Sequence, residues 1–448
     1  MAHKYLYLPI EEAARELDAR LLLAVQALGK GYDVVIGQQW LLIRNLHLIE
    51  PGTFFFKGTN AIQANWMRYA KASGHKVVAI DEEVTAIAEE KHVIKGVRKE
   101  IFEYCDRFFM QGENQSRIYQ KYFGRISDIC RVTGNPRFDL LRGERKQAFF
   151  PAAKDIRERH GRYILLNSNF GCYNSAWGSF EAFVDVCKNV GFADWDNPED
   201  RRWFKASYEL EKHTMDGFIK LARRLREEFE QHRILIRPHP AENLETWHKL
   251  FGREDGIDIV YEGSAVPWIL ASDYFIHNTC TTGTEAMLLK VPVGAYAPFT
   301  NWKEQVFLSN LVTPVYRNED DVIAATAAAI SDRKASVAKI DEDYSALLEE
   351  HIMLDGADTA AARILNEIDA VAIESGNESM LRPGREMDRS EELTEYQRKK
   401  INLTLKEVSQ RVVDMAMLMG MKLELKVKNA GESLFHISAL RQSPHGEK

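Results

Sequence analysis

Short apolar runs of strand length recur along this chain, each followed by a helix-length segment or a polar turn. That alternation constrains the fold more than any other feature. Tyr5-Leu-Tyr-Leu-Pro9 is a strand stopped by proline, which has no N–H for a sheet ladder. Leu17, Leu21, Leu22, Val25 and Leu28 then recur at helical spacing over 11–29, where Gly29 and Gly31 end the helix. Tyr32-Asp-Val-Val-Ile-Gly37 is a second buried strand, and β-α-β is the unit of a parallel doubly wound sheet. Similar strand runs occupy 54–58, 76–80, 107–110 and 128–133, then 162–166, 234–236, 257–261, 273–277 and 291–296. The chain therefore reads as α/β, with two doubly wound parallel-sheet domains at 1–150 and 151–372. Residues 142–160 are charged and contain Pro151, so they read as a linker. Residues 320–372 read as helical. The polar stretch 373–390 introduces an extension, 373–448. There Leu405, Val408, Val412, Met415 and Met419 make one helical stripe, and alternation over 422–428 and 433–440 predicts a β-hairpin. The extension is expected to dock on the body or on another subunit, as a homo-oligomer contact.

The ends of these strands carry the chemistry. Ile234-Leu-Ile is followed at once by Arg237-Pro-His-Pro240, so a guanidinium and an imidazole project from a strand's carboxyl end. In open α/β sheets ligands bind at that edge, and a bidentate donor beside a titratable one suits phosphate. The alternative is a turn with a solvated arginine and a packed histidine. A second strand ends in His277-Asn278-Thr279 and runs into Thr281-Thr282-Gly283-Thr284-Glu285, the opening of a helix. Hydroxyls, a glycine and free N–H groups at a helix start form an anion site, and Glu285 is placed to accept from ribose hydroxyls. A capping box of Thr282 with Glu285 is the bland reading of the same residues. Asn167-Ser168-Asn169 forms a third polar strand end.

Two further edges come from the first half. Lys57 and Asn60 follow the strand at 54–58, and Asp81-Glu82-Glu83 follows 76–80. Repulsion among three carboxylates is expected to raise one pKa, as a general base requires. A helix beginning at Val84 with an acidic start is the alternative. Gly134-Asn135-Pro-Arg137-Phe-Asp139 reads as a tight turn with Arg137 and Asp139 paired across it. Glu11, Glu12, Arg15 and Glu16 read as helix capping. The aromatic-rich stretch 171–205 reads as an inserted segment contributing to an acceptor site, with a helix at 208–231. Asp194-Trp-Asp196 has a metal-ligand spacing, but nothing near it completes an oxygen cage, so no metal is assigned.

The balance of 59 basic and 66 acidic residues, net −7, argues against a nucleic-acid protein held by a basic surface. No apolar run reaches transmembrane length, and the first residues lack the apolar core of a secretory signal. The five cysteines, without a CxxC, read as free thiols in a reducing cytoplasm. The opening β-α-β lacks the GxGxxG of a dinucleotide site.

Taken together, these motifs resemble the GT-B glycosyltransferase superfamily, two Rossmann-like domains facing across a cleft. More narrowly they are similar to bacterial surface-carbohydrate biosynthesis proteins of capsule and lipopolysaccharide. The likeness rests on Pro9-Ile-Glu with Arg15-Glu-Leu-Asp, Asp81-Glu-Glu, Gly134–Asp139, Arg237–Pro240 and Thr281–Glu285, over about 5–335. The His-Pro and acidic motifs resemble sialyltransferases and Kdo transferases, although Val84 stands where that acidic motif usually has glycine. The Gly134–Asp139 turn resembles CDP-glycerol glycerophosphotransferases and UDP-GlcNAc 2-epimerases. The resemblance implies a cytoplasmic, inner-membrane-peripheral glycosyltransferase with no cofactor, taking a nucleotide sugar, a CMP-activated 2-keto acid sugar first, and a glycan or lipid-linked acceptor. It implies that Arg237, His239, Asn278, Thr279, Thr281–Glu285, Asn167–Asn169, Asn135 and Arg137 bind the donor. Lys57 and Asn60 would lie on the acceptor side, and one of Asp81, Glu82 and Glu83 would act as base or nucleophile. A glycerophosphotransferase, a 2-epimerase and a non-catalytic assembly protein are the rival readings.

Overall fold

The predicted strand runs form strands in a computed structural model, which describes residues 3–82, 84, 87–124, 126–354 and 358–440. In the first half they are β1 (Lys4–Ile10), β2 (Tyr32–Gln38), β3 (Thr53–Lys57), β4 (Lys76–Ile80), β5 (Arg107–Met110) and β6 (Cys130–Val132). In the second they are β7 (Tyr163–Asn167), β8 (Arg233–Arg237), β9 (Ile257–Ile259), β10 (Tyr274–His277), β11 (Val293–Tyr296) and β12 (Val315–Tyr316). The tail adds the hairpin β13 (Leu425–Gly431) and β14 (Leu434–Ala439). Unbroken burial along β1, β2 and β7 is what a parallel sheet covered on both faces requires.

The chain forms two units. The first comprises Met1–Glu82, Val97–Ala148 and Ile352–Lys448, and the second Glu83–Gly96 and Phe149–His351. The first holds an eight-stranded sheet in the order β13-β14-β2-β1-β3-β4-β5-β6. Its body is parallel, and β14 joins β2 antiparallel. The second holds a six-stranded sheet in the order β12-β11-β10-β7-β8-β9. Read from β9, that is the 3-2-1-4-5-6 succession of a dinucleotide-type doubly wound sheet. Its helices pack Phe218, Leu221, Leu225, Trp247 and Phe251 against Ile164, Ile234 and Ile236. No helix among the described residues is long and apolar enough to cross a membrane.

Several local expectations need correction. The charged stretch 142–160 is a 3-10 turn at Gly143–Phe149 and a helix at Phe150–His160, with Pro151 in the first turn, where its missing N–H costs nothing. Val84, where a helix is expected to begin, has 3-10 geometry, and its neighbours 83, 85 and 86 lie outside the described residues; the next described α-helix is Glu90–Val93. The helix predicted from 208 spans Pro198–Glu228, because Asn197 caps it by accepting from the Glu199 N–H. The tail is docked on the first unit: Ser375 bridges His3, and Leu381 bridges Ile49. The aromatics of 171–205 make a small core of their own, in which Val184 and Phe204 pack with Phe180, Phe192, Trp195 and Trp203.

One glycine decides whether the hairpin can dock. Gly37, at φ +143°, lies so close to β14 that a Cβ there would overlap the Ser433 carbonyl and the Leu434 Cα. Gly37→Ala is predicted to destabilise the first unit by about 1–3 kcal/mol, the usual cost of overpacking. The expected readout is a lower urea midpoint with faster amide exchange over Leu434–Ile437, and unchanged exchange there would contradict it.

Candidate functional site

The second sheet reverses its order between β7 and β10, and the crevice at such a reversal is where an open α/β sheet binds ligands. Three polar segments meet there: 167–169 after β7, 237–242 after β8 and 277–285 after β10. They are bonded to one another. Asn167 Nδ2 donates to Thr282 Oγ1 at 3.2 Å, and Asn169 Nδ2 donates to the Thr279 carbonyl at 2.8 Å. The Asn278 N–H donates to the Asn167 carbonyl, and the Ser168 N–H to the Arg237 carbonyl. The expectation that the His239 and Thr282 segments share one edge therefore holds in geometry.

Glu242, which the motif reading missed, fastens the middle of this arrangement. Its buried carboxylate accepts from Ser168 Oγ at 2.7 Å, the His239 N–H at 2.9 Å and Trp247 Nε1 at 3.0 Å. Burial pushes its pKa up to about 7 against the hydrogen bonds it accepts. Nothing in Pro-Ala-Glu distinguishes such a carboxylate from a solvated one. His239 is half-buried, and its Nδ1 accepts from the Ala241 N–H at 3.2 Å. In the neutral ring that leaves the proton on Nε2, as a donor. Arg237 donates Nη1 to the Glu262 carbonyl at 3.0 Å and Nη2 to that of Gly263, so its guanidinium ties β8 to the loop after β9.

The loop after β10 is strained and lined with unmet acceptors. Thr279 has φ +50°, and left-handed backbone at a non-glycine residue is held only by its surroundings. Here Asn169 holds its carbonyl, and Asn310 Nδ2 holds its hydroxyl at 3.1 Å. Asn167 Oδ1, Asn278 Oδ1 and His277 Nδ1 are buried without a hydrogen-bond partner among the described residues. Burial also pushes the His277 pKa down to about 3, so that ring is neutral. The helix begins at Thr282 with Thr281 as a cap that makes no side-chain bond, so no capping box forms. Gly283 is required by the close approach of His277, whose ring a Cβ would strike. Thr284 and Glu285 are fully buried. A pocket beside this loop is lined by Asn169, Thr214, Asn278, Thr279, Tyr296 and Lys303. Lys303, also unforeseen, is buried and pairs with Glu211 at 2.7 Å, while Glu211 accepts from the Cys172 and Tyr173 N–H groups.

The carboxyl edge of the first sheet is different. Asp81 is buried and accepts from Thr59 Oγ1 at 3.1 Å and the Tyr119 hydroxyl at 2.9 Å. Burial alone would raise the Glu82 pKa, but Arg20, Lys57, Arg137 and Arg15 outweigh it and hold the carboxyl below its ordinary range. An upward shift is expected for at least one of the three carboxylates; Glu82 is not the one, because cations lie beside it. Glu83 lies outside the described residues. Lys57 pairs with Glu11 at 3.1 Å and with Glu16, and Asn60 caps the helix Ala61–Ala72 by accepting from the Gln63 N–H. Asn135 caps the turn at Pro136–Asp139 by accepting from the Arg137 N–H. The predicted Arg137–Asp139 pair gives way to Asp139 accepting from the Ala360 and Ala361 N–H groups, each at 3.0 Å. Asp194 Oδ1 accepts from the Asp196 N–H in a local turn. Among the described residues no cluster of His, Cys, Asp and Glu can hold a metal.

No protein-family model and no curated protein matches the chain. Solved structures do. One from Listeria monocytogenes, provisionally described as a UDP-N-acetylglucosamine 2-epimerase, superposes with a TM-score of 0.51 at 14% identity, covering 82% of this chain and 96% of its own. The UDP-GlcNAc 2-epimerase of Neisseria meningitidis gives 0.47 at 13% identity over 82% and 100%. The wall teichoic acid polymerase TagF gives 0.49 at 12% over 82% and 89%. The Listeria superposition and the two sheet orders show that the chain has the GT-B, epimerase-like pair of Rossmann-type folds.

The raised Glu242 pKa gives a testable pH dependence. A buried acid raised from 4.5 to about 7 holds its proton more tightly in the folded state. Its contribution is therefore neutral below pH about 4.5, and stability falls as pH rises towards 7, by on the order of 3 kcal/mol. Urea midpoints for wild type and Glu242→Gln should converge at the acid end and differ in slope across that window. Parallel pH profiles would show that Glu242 titrates normally.

Proposed function

We propose that the protein is an enzyme acting on a nucleotide-activated sugar, with the nucleotide phosphates at the β7–β10 edge of the second unit. The observation that carries this is the bonding of three strand-end loops into one edge: Asn167 to Thr282, Asn169 to Thr279, and Ser168 through Glu242 to His239. In this reading His239 Nε2–H donates to a phosphate oxygen, and the Thr281 and Thr282 hydroxyls with the N–H groups at the helix start add donors. The Asn167 and Asn278 carboxamide oxygens accept from ligand hydroxyl or N–H groups, which answers their want of a partner. Arg237 acts by fixing the loop beyond β9 and by its charge.

A nucleoside diphosphate donor fits better than the CMP-activated 2-keto acid sugar expected from the sequence. The Listeria structure with the shared fold carries a UDP-GlcNAc 2-epimerase description, which favours UDP and an epimerase-type reaction. The low Glu82 pKa also argues against this carboxylate as the base for an acceptor hydroxyl. Transfer from the same donor to a glycan is the second reading, and an assay without acceptor separates the two. An epimerase converts UDP-GlcNAc alone, whereas a transferase needs acceptor for turnover.

Melting in the presence of UDP, CDP, CMP and GDP is the first experiment. A ligand at about a hundredfold excess over its Kd adds about 2.7 kcal/mol, a clear rise in Tm. UDP or CDP should give it, and His239→Ala should abolish it while leaving the ligand-free Tm unchanged. The variant's kcat/KM should fall at least tenfold, about 1.4 kcal/mol of transition-state stabilisation. If none of the four nucleotides shifts the melt, the reading is wrong.

A further inference from the structure

The first unit contains a cavity of about 480 Å³ that none of the motifs explains. That volume falls in the range of about 300–1,000 Å³ typical of small-molecule sites. One wall is Gln38 and Trp40, where β2 passes into the helix Gln39–Arg44, and another is Trp66 from the helix Ala61–Ala72. The tail closes it with Arg389 and Leu393, beyond the part of the chain that carries the GT-B likeness.

Three features define what it can hold. Trp40 and Trp66 are only partly buried, neither stacks on another aromatic, and neither donates its indole N–H to an acceptor among the described residues. Most large indoles inside a fold find a partner for that N–H, so these two keep a flat face and a donor for a ligand. The planar polar groups around them are held in place. Gln38 Nε2 donates to the Glu432 carbonyl, Arg44 pairs with Glu391, and Arg389 donates to the Ala430 carbonyl at 3.3 Å. Finally, Arg44 and Arg389 face Glu391, Glu392 and Glu432, and Arg398 behind the wall pairs with Glu392 at 3.2 Å and Glu432 at 3.0 Å, so the charges balance. No net positive charge draws a phosphate-bearing ligand there.

We propose that this cavity is a saccharide site that takes a neutral pyranose ring. A pyranose has a C–H face that lies on an indole and a rim of hydroxyls that bond to carboxylate, guanidinium and carboxamide groups. Fixed flat faces beside fixed planar hydrogen-bonding groups, with no net positive charge, suit that ligand. The site goes beyond the nucleotide reading and stands without it, since no residue of the β7–β10 edge takes part.

The test uses the full chain with ¹⁵N-labelled tryptophan, titrated with N-acetylglucosamine, chitobiose, maltose, lactose and UDP. At least one neutral sugar should shift the Trp40 and Trp66 indole N–H signals saturably at millimolar concentration. UDP should leave those two signals unmoved. Trp66→Ala should weaken that sugar at least tenfold, about 1.4 kcal/mol, with Trp66→Phe retaining part of the affinity. It should leave the UDP-induced Tm shift unchanged. If Trp66→Ala does not fold, Glu392→Gln on the exposed rim, expected to weaken the same sugar, serves in its place. The proposal is overturned if no neutral sugar moves the two indole signals, if UDP moves them, or if the variants bind sugar as wild type does. The nucleotide result is read separately from the melts, so either idea can fail alone.

Discussion

A carboxylate withdrawn from water needs partners, and Glu242 finds three: the His239 backbone and Trp247 close by in sequence, and Ser168 from the far-off end of β7. The edge of the second sheet depends on that one group. Without it the His239 N–H and the Ser168 hydroxyl would each lose an acceptor. Removing one member of such a buried set leaves the others unsatisfied, which costs more than the bond itself is worth. The strained Thr279 depends in the same way on Asn169 and Asn310. The edge is therefore preformed, with loops locked by their own side chains.

The carboxyl edge of the first sheet is built on the opposite plan. There Glu82 sits among Arg20, Lys57, Arg137 and Arg15, and Lys57 is held between Glu11 and Glu16. Burial pulls a lysine pKa down, but these carboxylates push Lys57 above its ordinary range. Each charge in this set is stable only because the others are present. Such a network fixes geometry and field, and it keeps Glu82 ionised. A carboxylate so held is better suited to stabilising positive charge than to removing a proton.

The sheets were legible because the β-branched and aromatic runs became strands close to their predicted limits: β8 stops before Pro238 as expected, whereas β1 runs through Pro9 to Ile10 and β2 through Gly37 to Gln38. The two strand-end loops that mattered in the second unit were legible because each carries proline or glycine beyond its strand. Misreadings came where local composition was overruled. The stretch 142–160 looked like a linker because a charged helix with proline in its first turn resembles one. Asp81-Glu-Glu looked like a repelling acid group because Arg20 and Lys57, brought beside Glu82 by the fold, are far away in sequence. Glu242, Lys303 and Glu211 were invisible because their burial is a tertiary fact. A lone glutamate after His-Pro, or a lysine in Asn-Trp-Lys, carries no sign that it will lose water.

The antiparallel seat of β14 on β2 sets an order of events during synthesis. Leu434 pairs with Gly37 and Ile437 with Val34, so the first sheet's β2 edge stays open until residues 434–437, some four hundred positions later, have left the ribosome. The second unit's sheet, by contrast, lies within 163–316 and closes from neighbours in sequence. The later domain in reading order thus reaches its native pairing first, and the earlier one waits with an unsatisfied β-strand exposed. Long-range pairing of that kind is slow and leaves an edge open to wrong partners. When the hairpin arrives, Lys426 and Lys428 on β13 put solvated cations on the new outermost strand and discourage further strand addition.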